Sequence, residues 1–268
     1  MKLEHRLRQA ILSKGIAIEK LSADAALHGF LDRFRSKYVA CDMVRIGGAG
    51  DGGYLLPNNL ADIAYCFSPG VDYTATFERE LSASYGIKSF MADASVASAP
   101  VSDDNFEFVP KYLGARTHGQ FVTLSDWIAD CVGDDTRARI LQMDIEGAEY
   151  DVLTYESSET LAQFTTMVIE FHGLKRLFQP EFLRTFSAIF EKIYRNFSIC
   201  HVHPNNCSGV ATYKGVAVPR LLEITFVRND VLEAFATGAE LTLPHPLDHP
   251  NVAENEDIVL PEIWWRGP

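Results

Sequence analysis

The middle of the chain alternates short apolar runs with segments of helical periodicity. Residues 140–143 and 167–171 are apolar runs of strand length, and a helix-length segment from 149 separates them. Two parallel strands joined by a crossover helix have this order, so the pattern predicts a βαβ unit. Ligands of open α/β sheets bind outside the carboxyl ends of the strands. The polar residues that follow each run are therefore the first candidates for a functional site.

Similar segments lie on both sides of this unit. Apolar runs predict further strands at 64–67, 87–92, 121–124, 197–202 and 221–227. Helical periodicity predicts helices at 74–85, 125–131 and 182–193. This alternation predicts an α/β fold with a doubly wound, mostly parallel, seven-stranded Rossmann-like sheet whose last hairpin is antiparallel.

The first forty residues have apolar side chains at helical spacing. They predict two helices outside the sheet, the second with Leu27, Phe30, Leu31 and Phe34 on one face and Ser22 as its N-cap. We therefore divide the chain into an N-terminal helical extension, residues 1–40, and one α/β domain, residues 41–268.

Five glycines crowd around Asp51, at positions 47, 48, 50, 52 and 53. This density is typical of a turn that needs positive φ or a close approach of backbone. A phosphate-binding loop is not indicated, because the segment has no Walker lysine. The pattern predicts a hairpin or turn at 51–56 that leads into the fold.

The charge of the chain narrows the class of its partners. Thirty-six acidic and twenty-four basic side chains give a formal net charge of −12. Such a charge repels a phosphate backbone and an anionic membrane surface. The chain also has no apolar core of a signal peptide and no run long enough to cross a bilayer. We therefore predict a cytoplasmic protein without nucleic-acid or membrane partners.

The five cysteines are scattered and form no Cys-x-x-Cys pair. Reduced thiols are therefore predicted rather than a disulfide framework or a structural zinc knuckle. His201 and His203 would share one face of a predicted strand, which leaves a metal site there as an alternative.

Acidic and imidazole side chains lie at the predicted strand exits. Asp93 ends the second strand, where a carboxylate can accept hydrogen bonds from both hydroxyls of a ribose. Asp144 and Glu170 follow neighbouring strands about 4.8 Å apart. With His172 they can converge on one hard cation such as Mg²⁺, or His172 can act as a general base. His203, after a later strand, is a second candidate base.

Two further carboxylates, Glu146 and Glu149, fall in the first turn of the helix after Asp144. Negative charge stabilises a helix N-terminus, so we predict a mainly structural role for both, with Glu146 the better placed to face the site.

The phrase DIEGAEYDVL, residues 144–153, resembles the signature of the FkbM-like S-adenosylmethionine-dependent methyltransferases. Many members of that family O-methylate sugars or glycosylated natural products. DGGY at 51–54, CFSPGV at 66–71 with the following Phe77-Glu78 pair, and the later EFH and HVHPNN segments resemble other parts of such a domain. The resemblance covers roughly Val44 to Arg228.

The resemblance implies S-adenosylmethionine as cofactor and a small-molecule or glycan hydroxyl as methyl acceptor. Residues expected to bind the cofactor are Asp51, Gly52, Ser68, Gly70, Asp72, Asp93 and Asp144, with residues 68–72 beside the methionine part. Catalysis is expected to depend on Asp144, with His172 or His203 as base. A magnesium-like cation held by Asp144, Glu170 and His172 is the alternative source of activation. The single glycine of the 68–72 turn argues against a nicotinamide or flavin enzyme, which needs Gly-x-Gly-x-x-Gly.

Two other classes of function remain open. A metal-dependent hydrolase can use the same Asp144, Glu170 and His172 to activate water, and a non-catalytic module can keep the fold and bind S-adenosylmethionine without turnover. The N-terminal extension is expected to be a lid over the substrate, a contact of a homo-oligomer, or an ordinary helical cap packed on the core.

Overall fold

The computed structural model describes residues 9, 11–16, 20–234, 236–238 and 241–266. The described strands are, in chain order, β1 (Met43–Ile46), β2 (Tyr54–Pro57), β3 (Tyr65–Pro69), β4 (Lys88–Ala92), β5 (Phe106–Val109), β6 (Tyr112–Leu113), β7 (Phe121–Val122), β8 (Arg139–Met143), β9 (Thr166–Phe171), β10 (Phe197–Pro204), β11 (Val210–Tyr213), β12 (Val216–Pro219) and β13 (Leu222–Arg228). The described helices are α1 (Asp24–Arg35), α2 (Thr76–Tyr85), α3 (Leu124–Val132), α4 (Glu149–Tyr155), α5 (Ser158–Leu161) and α6 (Pro180–Ile193).

Seven strands form the central sheet in the order β10-β13-β9-β8-β3-β4-β5. The strands from β5 to β9 in this order pair in parallel. Strand β13 is antiparallel to both of its neighbours, β9 and β10. The predicted seven-stranded, mostly parallel sheet with an antiparallel last hairpin is therefore confirmed. Its topology brings the carboxyl ends of β3, β4, β8 and β9 to one edge.

Local sequence explains where several helices begin and end. Helix α2 ends at Gly86, which adopts a left-handed φ of 68° that a glycine accepts without strain. Helix α3 begins after Thr123, whose hydroxyl accepts a hydrogen bond from the backbone N of Asp126 at 3.1 Å. The glycine-rich segment around Asp51 is the turn of the antiparallel β1–β2 hairpin, as predicted.

The N-terminal extension packs into the main core through α1. Phe34 lies against Phe190 of α6 and Trp264 near the chain end, with ring centroids 5.7 and 5.4 Å apart. The second predicted helix is thus present with its predicted buried face. The predicted N-cap is wrong, because the Ser22 hydroxyl instead donates to the carbonyl of Leu177 at 2.9 Å. The first predicted helix lies largely outside the described residues, and the division at residue 40 stays a prediction.

The third strand of the sheet does not lie where the pattern predicts it. Residues 106–109 form edge strand β5 in a segment where the sequence pattern predicts no strand. Phe121 and Val122 instead pair with Tyr112 and Leu113 in a separate small sheet, and Leu124 already belongs to α3. The edge position explains the error, because a half-exposed strand of four residues has only a short apolar pattern.

None of the helices that the structure describes is both long and apolar enough to span a bilayer.

Candidate functional site

A first cavity, of about 550 Å³, lies at the carboxyl ends of β3, β4 and β8. Polar walls come from Asp51 and Gly52 of the hairpin turn, Gly70 and Asp72 after β3, Asp93 after β4, and Asp144 after β8. Apolar walls come from Val71, Ile145, Leu113 and the half-exposed rings of Tyr112 and Phe121. A cavity of this size with a few convergent polar groups is typical of a small-molecule site.

Gly70 sets the shape of the turn after β3. Its φ is +91°, and a Cβ added there would lie 1.6 Å from the carbonyl oxygen of Asp144. The glycine is therefore required by the approach of two backbone segments, whereas the sequence predicted an approach of ligand. The Asp144 backbone N also donates to the Pro69 carbonyl at 3.3 Å, so the two strand exits are joined.

Asp93 is held in the cavity by backbone donors. One carboxylate oxygen accepts from the Asp72 N at 3.0 Å and the other accepts from the Ser95 N at 2.7 Å. The side chain is largely buried but lines the cavity. An ionised carboxylate offers about four lone-pair positions, so it can accept two more hydrogen bonds. Asp93 is thus fixed in orientation and still able to bind a diol.

Ser68 lies behind the wall of the first cavity, where it is completely buried. Its hydroxyl contacts the carboxylate of Glu78 and lies 2.6 Å from Oε1 of Gln142. Both of those side chains line the cavity, whereas Ser68 does not. Burial raises the pKa of Glu78 above its ordinary value. Ser68 therefore does not lie in the cavity wall, where the predicted contact with a cofactor would place it. It instead contacts Glu78 and Gln142, which do line the cavity.

A second cavity, of about 360 Å³, adjoins the first. Asp51, Asp144 and Glu146 line both cavities. The other residues of the second cavity are Glu170, His172, Gly173, Lys175, Asn205, Cys207, Ser208, Arg220 and Leu221. The predicted residues Asp144, Glu170 and His172 are thus brought to one site. No described residue of the N-terminal extension lines either cavity.

His172 is oriented by a buried carboxylate. Its Nδ1 lies 2.9 Å from Oε1 of Glu149, a side chain without exposed surface. Its Nε2 faces three other carboxylates, at 3.3 Å from Glu146, 3.7 Å from Asp144 and 3.8 Å from Glu170. Glu149 therefore positions an imidazole in addition to lying in the first turn of a helix. Sequence spacing gave no sign of this contact, which spans two strand exits.

The environment shifts the pKa values of this group. Burial lowers the pKa of His172, but the hydrogen bond to Glu149 and the nearby carboxylates outweigh burial and leave that pKa above its ordinary value. Burial raises the pKa of Asp144 to about 7, although His172 opposes the change. Burial and the charge of Asp144 hold the pKa of Glu170 well above its usual range. Asp144 therefore exchanges its proton close to neutral pH, and the surrounding carboxylates favour the protonated form of His172.

Two groups of described residues bring three potential metal ligands within 4.8 Å of one another. They are Asp144 with Glu149 and His172, and Asp51 with Glu170 and Glu223. The predicted set of Asp144, Glu170 and His172 is neither of these two groups, because Glu149 rather than Glu170 accompanies Asp144 and His172 in the first. Metal binding by the predicted set stays a prediction. His201, His203 and the cysteines belong to neither group, and all five cysteines are free thiols.

His203, a predicted base, lines neither cavity. It is buried beside the carboxylate of Asp248, which lies 2.9 Å from Nε2 of His201 and 3.7 Å from Nδ1 of His203. On its other side, Nε2 of His203 lies 3.2 Å from Oδ1 of Asn251. The structure therefore places His203 behind the two cavities rather than in their walls.

Asn251 links this histidine to the cavities. Its Nδ2 donates to Oε1 of Glu223 at 2.6 Å and to Oδ1 of Asp51 at 3.2 Å. The neighbouring Val252 donates its backbone N to Oδ1 of Asn206 at 2.8 Å. The sequence predicted an irregular tail here, and no local pattern signals a contact with a residue 200 positions away.

One segment of the chain matches a methyltransferase family. The family model of the methyltransferase FkbM domain matches residues 114–196. No curated protein matches the chain. Among solved structures, a Methanococcus jannaschii fibrillarin pre-rRNA processing protein is 9% identical over 63% of this chain and 68% of its own, with a TM-score of 0.37. A putative DNA modification methyltransferase encoded within an Escherichia coli prophage is 9% identical over 67% of this chain and 49% of its own, with a TM-score of 0.39.

The family match spans the segment that carries DIEGAEYDVL, and the seven-stranded sheet places that phrase between the two cavities. The resemblance predicted from the sequence is thus confirmed for residues 114–196, which match the methyltransferase FkbM domain.

Proposed function

We propose that the protein transfers a methyl group from S-adenosylmethionine to a hydroxyl group of a sugar or glycosylated small molecule. The observation that carries this proposal is the meeting of two cavities at Asp144. A methyl transfer needs a donor and an acceptor aligned across a short gap, and holding them so accounts for much of the rate. Two adjoining cavities with one shared wall satisfy that requirement.

The first cavity suits the methyl donor. Asp93 keeps lone pairs for the ribose hydroxyls, while Tyr112 and Phe121 offer ring surface for a base. The acidic side chains of the shared wall, including Asp144, suit a cationic sulfonium. When bound, S-adenosylmethionine supplies an electrophilic methyl group. Asp51, Gly52, Gly70, Asp72, Asp93 and Asp144 remain the proposed binding residues, with Ser68 supporting them from behind.

The second cavity suits a hydroxyl-bearing acceptor. Its carboxylates accept hydrogen bonds, and Asn205, which donates from Nδ2 to Oε1 of Glu170 at 3.2 Å, fixes one of them. A sugar presents several hydroxyl donors on a small ring, so it can use several acceptors at once. Asp144 and Glu170 lie 3.7 and 3.8 Å from Nε2 of His172 and can each bind one hydroxyl.

Asp144 and His172 provide the base. Because Nδ1 of His172 is engaged by Glu149, its Nε2 is the atom that can take a proton from the acceptor hydroxyl. Asp144 lies 3.7 Å from that nitrogen and has a pKa of about 7, so its carboxylate can also hold the proton near neutral pH. Glu149 stabilises the protonated imidazole. We assign no proton transfer to His203.

A magnesium-like cation would lower the pKa of the acceptor hydroxyl if it were bound beside Asp144. The closely spaced ligand atoms beside Asp144 and His172 include Glu149 rather than Glu170, so the set first assigned to this ion is not the one that the structure groups together. We therefore route no step through a metal, and chelation decides whether one is required.

Incubation with methyl-labelled S-adenosylmethionine and a panel of sugars and glycosides tests the proposal. We expect transfer of the label to an acceptor oxygen, located by mass spectrometry, and its loss in Asp144→Asn. Cofactor binding without any labelled product would identify a binding module. A protein that neither binds S-adenosylmethionine nor methylates any acceptor, but hydrolyses an ester or phosphate, would be a hydrolase.

A further inference from the structure

Two cations line the second cavity without an anionic partner. Lys175 follows β9 and Arg220 precedes β13, and both side chains are exposed. Neither makes a side-chain hydrogen bond or ion pair with any described residue. The backbone N of Leu174 donates to the carbonyl of Arg220 at 3.0 Å, so the two segments are joined side by side.

A hydroxyl joins the same rim of the cavity. The backbone N of Arg220 donates to the carbonyl of Gly209 at 3.0 Å, which brings the segment of Ser208 beside the two cations. Ser208 also lines the cavity and is exposed. An ammonium, a guanidinium and a hydroxyl therefore stand on three segments that the backbone ties together. All three groups donate hydrogen bonds.

The lack of partners is informative because the chain is acidic. With a net charge of −12, carboxylates are in excess, and some surface cations pair with them: Arg33 pairs with Glu191 and Lys88 with Glu107. Arg220 and Lys175 share their cavity with four carboxylates yet contact none of them. The cavity thus has a rim that attracts anions and a wall, toward Asp144, that repels them.

We propose that the methyl acceptor carries an anionic group, a phosphate or a carboxylate, that binds Lys175, Arg220 and Ser208. A guanidinium binds either anion through two parallel hydrogen bonds, and a lysine adds a compact charge. The charge gradient across the cavity then orients the acceptor, with its anion at the rim and its hydroxyls toward Asp144 and Glu170. This inference rests on the proposed function, because it names the acceptor of that same site.

Calorimetry with the complete protein and three sugars tests the proposal. Glucose 1-phosphate, glucuronate and glucose differ in the phosphate or carboxylate that each carries. We expect at least one of the two anionic sugars to bind at least tenfold more tightly than glucose, and the tighter one identifies the anion. The double variant K175A/R220A should lose that preference. The matched variant K14A/R195A, which removes two exposed cations away from both cavities, should keep it.

Binding that is equal for the three sugars, or a preference that survives in K175A/R220A, overturns the proposal. So does the absence of binding by both anionic sugars. The readout does not require methyl transfer, so the two proposals can fail separately. If a neutral sugar is methylated and its KM is unchanged in K175A/R220A, the proposal of an anionic acceptor is wrong and the proposed reaction stands. If an anionic sugar binds tightly but no acceptor gives a methylated product, the proposed reaction is wrong and the anion-binding site stands.

Discussion

The pairing of His172 with Glu149 predicts a defined change in the pKa of the imidazole. The change is Glu149→Gln, which keeps the shape of the side chain and removes its charge. Glu149 has no exposed surface, and its Oε1 lies 2.9 Å from Nδ1 of His172. A hydrogen bond to a charged partner contributes roughly 1.5–3 kcal/mol, whereas a neutral one contributes roughly 0.5–1.5 kcal/mol. The difference of about 1 kcal/mol corresponds to a fall of somewhat less than about one pKa unit.

The assay is the NMR titration of the His172 ring protons, together with the pH profile of kcat/KM. The acid limb of the profile should move to lower pH in Glu149→Gln, because a weaker base loses its proton earlier. Its plateau should also fall, since the variant no longer stabilises the protonated imidazole. Glu146→Gln is the matched control. That carboxylate lies 3.3 Å from Nε2 but is 87% exposed, so solvent screens it and the shift should be smaller.

Stability gives a second readout of the same pair. The pKa of His172 is raised in the folded protein, so protonation stabilises the fold. That contribution is fully present below the ordinary pKa of histidine and is lost as the pH rises through the raised pKa. The part of the stability loss in Glu149→Gln that comes from His172 should therefore be larger in mild acid than in mild base. A His172 pKa that is unchanged in Glu149→Gln but falls in Glu146→Gln would refute the reasoning.

Three further changes test other parts of the site. Asp93→Ala should weaken S-adenosylmethionine binding by roughly 1.5–3 kcal/mol in calorimetry, whereas exposed Asp104→Ala should not, and equal affinities would show that Asp93 is misassigned. Asp144→Asn should suppress turnover without lowering the melting temperature, and full activity of this variant would remove the carboxylate from the mechanism. In a separate assay of the wild-type protein, loss of activity with a chelator and its restoration by magnesium would indicate a bound cation. Asn251→Leu leaves the buried Glu223 without its donor, so it should lower the free energy of unfolding by roughly 1–3 kcal/mol and raise KM. The control Asn58→Ala changes an exposed side chain and should alter neither quantity. A wild-type KM in Asn251→Leu would contradict the positioning role of Asn251.

The sheet was largely predictable because its inner strands are buried on both faces. Runs such as residues 64–67 are apolar without interruption, and the segments that form the covering helices show apolar residues at the 3.6-residue helical period. The same argument fails for β5, a short edge strand with mixed burial. The N-cap prediction failed for a different reason, because the Ser22 hydroxyl donates to the carbonyl of the distant Leu177 instead of capping α1.

The site was predictable where polar residues directly follow strands. Asp93, Asp144, Glu170 and His172 reach the cavities because the ends of parallel strands meet at one edge of the sheet. His203 also lies on a strand, yet a segment from the tail covers it. Such coverage depends on contacts between residues far apart in the chain, which periodicity and turn chemistry do not encode.

Because of the hydrogen bonds of Asn251, the strands of the central sheet are all synthesised before the site is complete. All seven strands of the central sheet have been made once translation passes Arg228. Asp51, made early, receives its side-chain donor only from a residue 200 positions later. A nascent chain that has already paired its strands therefore still lacks the contact that fixes the wall between the cavities. We therefore expect this wall to be completed only after Asn251 has been synthesised and has docked against Asp51.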